Sequence, residues 1–209
     1  MRPEQKQIPM EDNRTQLMQA IRKNDPAAVA ALLEAGADKE MRDADGKTLL
    51  LLALSLRSLD AAAALIDAGA DVNAQDSISD SPFLYAGAEG LTDIVRRCMK
   101  AGADYSVYNR YGGSALIPAC ERGHVDTVAA ILEDKSFPVD HINRLGWTGL
   151  LETVILGKGG AAHLQIMDML IRAGADVNLP DKDGVTALQH AREKGQKEMA
   201  QLLEQAGAI

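Results

Sequence analysis

The sequence predicts an all-α solenoid of about six stacked helix-turn-helix repeats, and three observations predict it. Ala-Gly-Ala-Asp stands at 35–38, 68–71, 101–104 and 173–176, and Ala-Gly-Ala returns at 206–208. The steps Gly36 to Gly69, Gly69 to Gly102 and Gly174 to Gly207 are each 33 residues. Helix-start residues keep the same register: Thr48, Ser81, Ser114, Thr148 and Thr186 follow at intervals of 33, 33, 34 and 38. One residue is therefore added within the fourth unit and five within the fifth. Third, the chain is 46% hydrophobic but only 3% aromatic, so its apolar mass is mostly Ala and Leu, residues that favour closely packed helices. A sustained period of this length marks an array in which no unit buries its apolar face alone.

Taken in order, residues 1–12 are charged, contain proline and lack an apolar leader core, and they read as a flexible tail. Residues 13–209 read as one repeat domain with units near 13–42, 43–75, 76–108, 109–142, 143–180 and 181–209. In the first unit Leu17, Ala20, Ile21, Val29, Leu32 and Leu33 form an apolar seam, while Arg14, Gln16, Gln19, Arg22 and Lys23 face water. That is the pattern of an N-terminal cap, which a solenoid needs against end-to-end association. Within each following unit a Thr or Ser accepts from first-turn N–H groups. Ser81-Pro82 adds a proline where its missing donor costs nothing. A second, more apolar helix such as 93–100 then ends at Ala-Gly, where glycine takes the left-handed conformation. Polar turns such as Asp45-Gly46 and Asp183-Gly184 join the units. The fifth unit carries an insertion, Gly157 to Ala162, read as a flexible loop extending one wall of a groove. Its glycines around Lys158 lack the spacing, the terminal Ser or Thr and the preceding strand of a phosphate loop. The last unit, rich in Arg192, Glu193, Lys194, Gln196, Lys197 and Glu198, caps the other end, so a complete, monomeric array is expected.

Thr186-Ala187-Leu188-Gln189-His190-Ala191 through Gly195, then Leu202-Leu203 and Ala206-Gly207-Ala208, resembles the ankyrin pattern. Gly113-Ser114-Ala115-Leu116 through Gly123-His124-Val125 is a second copy, and the resemblance covers about residues 13 to 209. The stretches from Arg110 to His124, from Gly146 to Glu152, and Gly159-Gly160 are similar to small, stand-alone bacterial ankyrin-repeat proteins. The resemblance implies binding through a concave surface built from turn tips and the inward face of each first helix, while neighbouring repeats supply stability.

Departures from the pattern concentrate in units four and five. The family register puts Arg110 and Tyr111 at one tip and Arg144 and Trp147 at the next. It puts Glu121, Arg122 and Glu152 on the inward helix faces, and Tyr85 at the position matching Pro118 and Glu152. Tyr, Trp, Arg and Glu together have the composition of a binding hot spot. The competing reading lays Trp147, the sole tryptophan, flat over its own turn and leaves the charges solvated. Pro118, four residues past Ser114, removes a donor to that residue's carbonyl. The freed carbonyl could serve a ligand, or the helix start could absorb the proline cheaply.

These residues point to a non-enzymatic scaffold for protein–protein interaction centred on units four and five, with no cofactor. The alternative is a receptor for a small anion, a carboxylate, sulfate or phosphate, gripped by Arg110, Arg122 and Arg144. A remote third is a hydrolase built on Glu121 and Glu152, but no nucleophile with a nearby base accompanies them. The four histidines lack metal-ligand spacing, so no metal is expected. Cys98 and Cys120 read as buried free thiols in a reducing cytoplasm. Net charge of −8 argues against nucleic acid. The most apolar run, Leu49 to Leu56, is too short to span a membrane.

Overall fold

A computed structural model describes the backbone from residue 10 and side chains from residue 13 to 209. Twelve helices run through the described residues as six pairs: α1 (Met10–Arg22) and α2 (Pro26–Glu34), α3 (Leu49–Ser55) and α4 (Leu59–Asp67), α5 (Pro82–Ala88) and α6 (Thr92–Lys100). They continue as α7 (Leu116–Arg122) and α8 (Val125–Leu132), α9 (Gly149–Ile155) and α10 (Ala161–Arg172), and α11 (Ala187–Glu193) and α12 (Lys197–Gln205). The tail expected over 1–12 lies largely outside the described residues, and from Met10 onward it is helix. First helices pack on neighbouring first helices and second helices on second helices, giving two layers over one continuous core. That core is mostly Leu, Ala, Ile and Val, with Phe83, Phe137, Met167 and Met199 among them and Cys98 and Cys120 buried in it as free thiols.

Local chemistry sets the repeat. Thr48, Ser81, Thr148 and Thr186 cap their helices by accepting from the backbone N–H three residues on. Each of units two to six opens on one Asp or Asn whose Oδ1 accepts from the N–H groups two and four residues on. For Asp43 these are Asp45 and Lys47, and for Asn143 they are Leu145 and Trp147. Asp76, Asn109 and Asp181 do the same.

The fourth unit breaks the capping rule. In its sisters the N–H of residue 52, 85, 152 or 190 donates to the cap carbonyl at 2.9–3.0 Å. Position 118 is proline and has no N–H. Helix α7 consequently starts two residues after Ser114 instead of one, and the Ser114 hydroxyl is buried without a partner among the described residues. The expectation that Ser114 caps this helix is therefore corrected, and the missing proline donor is the reason.

The insertion also differs from expectation. Ala161 and Ala162 are helical and lengthen α10, and the remaining loop leans toward repeat six, where Gly159 lies against the Gln196 side chain. None of Gly157 to Ala162 lines the groove described next.

Candidate functional site

Turn tips and first helices of repeats three, four and five form an open cavity of about 440 Å³, within the size range of small-ligand sites. Three columns of the repeat build it. The tip column reads Asp45, Ile78, Tyr111, Leu145, Asp183, so the middle three repeats replace an acidic tip with an apolar one. Ile78, Tyr111 and Leu145 are 48%, 54% and 41% exposed, a row of apolar tips along one edge. The first-helix column reads Leu52, Tyr85, Pro118, Glu152, His190, and its three central members line the cavity. A third column supplies Glu89, Arg122 and Leu156.

Of the residues expected at the site, Tyr85, Arg110, Tyr111, Pro118, Glu121, Arg122 and Glu152 line this one cavity. Arg144 and Trp147 do not, which corrects the expected pocket around the indole. The Arg144 guanidinium reaches back to donate to the Arg110 carbonyl at 2.8 Å, and its stem covers Gly112. It ties turn to turn. Trp147 sits just before the Thr148 cap, half-buried against the core, its backbone N–H held by Asn143. Asp80, Glu89, Asn143, Ile78, Leu145 and Leu156 were missed, although aligning the repeat columns makes the tip row readable. The site thus reaches into repeat three.

Charge is unevenly matched inside the cavity. Arg122 donates to Glu89 at 2.8 Å and to the Ala88 carbonyl at 2.6 Å. Arg110 lies 4.0 Å from Asp80 and 5.0 Å from the Tyr111 ring centroid. Glu121 and Glu152 have no cationic partner among the described residues. Glu152 is only 5% exposed, and its Oε1 accepts from the Asn143 amide at 2.8 Å. Burial, and then the neighbouring Glu121 charge, push its carboxyl up to about 7, against the pull of the Asn143 hydrogen bond. Asn143 serves two partners at once: Oδ1 holds its turn while Nδ2 holds Glu152.

Burial pushes the Cys120 thiol well above its usual range. Each histidine is engaged in repeat-to-repeat or turn bonding. His124 meets the Ala88 carbonyl at 3.2 Å, and His163 meets the Glu121 carbonyl at 2.9 Å in the matching place one repeat on. His141 meets the Gly112 carbonyl at 2.6 Å, and His190 meets Asp181 at 2.8 Å. Among the described residues no group of three or more His, Cys, Asp or Glu is arranged to hold a metal ion, and no helix is long and apolar enough to cross a membrane.

Residues 2–76 match the family described as ankyrin repeats (3 copies), and residues 158–204 match ankyrin repeats (many copies). An ankyrin repeat domain from Acinetobacter baumannii AYE is 48% identical, with 92% of this chain and 98% of that one aligned at a TM-score of 0.85. The ankyrin repeat protein EF0377 is 41% identical over 91% of this chain and 96% of its own, with a TM-score of 0.86. The ankyrin repeat protein YahD of Escherichia coli (strain K12) is 45% identical over 93 residues, 44% of this chain and 46% of that protein's length. This chain thus spans about half the length of that curated relative. The ankyrin repeat domain of Bcl-3, at 23% identity and a TM-score of 0.81, shares the fold.

Proposed function

This chain belongs to the ankyrin-repeat family, and on that premise we propose that it is a non-enzymatic scaffold that takes a protein segment into the concave surface of repeats three to five. Ankyrin repeats in general mediate protein–protein interaction. The observation that carries the finer reading is the cavity under the apolar tips of Ile78, Tyr111 and Leu145. Exposed apolar side chains around a polar floor are what a folded protein offers a partner, since solvation alone favours the Asp found at both flanking tips. The anion-receptor alternative has less support: Arg110 and Arg122 lie beside Asp80 and Glu89, and Arg144 is outside the cavity. The Glu121–Glu152 hydrolase has no activated nucleophile beside it.

A photo-crosslinking amino acid placed at Tyr111 tests this in living host cells, with the same group at Lys100 on second helix α6 as the control. Discrete protein adducts from position 111 and none from 100 are expected. Adducts equal at both positions, or only at 100, would remove the site from consideration.

A further inference from the structure

We infer that the cavity receives a basic side chain, an arginine or lysine of the partner segment, whose cationic head meets Glu152 and Glu121 while its aliphatic stem lies against Ile117, Pro118 and Leu156. This rests on the scaffold reading and names what that surface selects.

The carboxylates are the reason. A buried carboxylate without a counter-ion is costly, and a fold retains one when something completes it. The repeat does not demand glutamate at 152, because the same column holds Leu52, Tyr85, Pro118 and His190. Repeat six shows the completed version. There the turn residue Asp181 faces His190 at 2.8 Å, an acid with its own base. Repeat five has an amide and an acid, Asn143 and Glu152, in the same two places. Its basic half is missing, and the acid lines an open cavity. The cavity's two arginines lie beside Glu89 and Asp80, so Glu121 and Glu152 are the charges left over. Apolar walls over an acidic floor suit long side chains with aliphatic stems and charged heads.

Burial and the Glu121 charge raise the Glu152 carboxyl and make this binding proton-linked, and further titratable groups stand on the helices packed against α9. On α7 these are Glu121 and the Cys120 thiol, with Arg122 turned to Glu89. On α10 His163 is held by the Glu121 carbonyl, and on α11 His190 is held by Asp181. A cation needs the ionised form of Glu152, so affinity rises as pH passes through about 7 and a proton leaves on binding.

The test uses the whole chain, ¹⁵N-labelled, titrated with the capped tripeptides acetyl-Gly-Arg-Gly-amide and acetyl-Gly-Lys-Gly-amide. Citrulline and acetyl-lysine peptides serve as neutral isosteres. Saturable shifts of α7 and α9 amides by the basic peptides are expected, at least tenfold weaker for the isosteres and severalfold weaker at pH 6 than at pH 8. Glu152→Gln should lose tenfold or more, and the isostere comparison in the unaltered chain covers the case of a misfolded variant. Equal binding of the neutral peptides, no binding at pH 8, or inorganic phosphate occupying the same amides would each overturn the assignment. Adducts at Tyr111 with no response to basic peptides would leave the scaffold standing and this inference refuted.

Discussion

Ser114 and Thr148 stand at the same point of adjacent repeats and differ in what their hydroxyls do. Thr148 Oγ1 accepts from the Leu151 N–H at 3.2 Å, whereas Ser114 Oγ is buried without a partner among the described residues. Thr148→Ala should cost about 1 kcal/mol, as for a lost cap. Ser114→Ala removes an unsatisfied polar atom and should be neutral or stabilising by up to about 1 kcal/mol. Urea unfolding of both variants checks the contrast, and equal losses would contradict the account of Pro118. Glu152 supplies a second residue-scale prediction. Its folded carboxyl sits near 7 against an ordinary 4.5, so the group favours the fold fully below about pH 4.5, and that contribution is lost as pH rises through 7. Glu152→Gln abolishes this term. At pH 8 the variant should be more stable than the parent by roughly 2 kcal/mol, and below pH 4.5 the two should converge. Denaturation curves at pH 4, 6 and 8 give the answer, and a difference that does not change with pH rules the carboxyl out as its source.

At the scale of elements, the close approach of α5 to α7 depends on a single missing side chain. A Cβ on Gly87 would lie 2.6 Å from the Ala115 carbonyl oxygen and 2.8 Å from its Cβ. The carbonyl is backbone and cannot turn aside, so Gly87→Ala should destabilise by about 1–3 kcal/mol despite alanine's better helix propensity. A thermal melt unchanged by the substitution would mean the two helices can slide apart at no cost. Helix starts other than that of α7, terminal glycines and the 33-residue step were readable because each follows from a local rule, a cap hydroxyl or a left-handed glycine, that acts within a few residues. The site was readable only in part. The register grouped Arg110, Glu121 and Glu152 on one face, and all three line the cavity, because column position fixes where a Cα lies. It could not say that Arg144 bends back to its neighbour's carbonyl, since a long side chain chooses among several directions from the same Cα. Nor does column position alone settle whether an indole before a cap faces the groove or the core. Ile78 and Leu145 escaped notice for a different reason: an apolar residue in a turn is unremarkable until its column is seen to hold Asp at both flanks.

The whole molecule behaves as a line of units, because its main helix contacts run within a repeat or to the adjacent one: first helices on first helices and second on second, with α1 also meeting α4 and α7 meeting α10. Its stability is then a sum of unit and interface terms, and damage stays near where it is made. Leu203, fully buried on α12, belongs to the last unit. Leu203→Ala removes core volume there at a cost of about 2–5 kcal/mol. In a globule with one indivisible core such a loss would lower protection everywhere. Here it should fray α11 and α12 while α5, α7 and α9, which carry the cavity, keep theirs. Hydrogen exchange read by mass spectrometry separates the two outcomes. Basic-peptide binding gives an independent readout: an array of separable units retains it in this variant, and a parallel loss of binding and of central protection would show that the six repeats unfold as one.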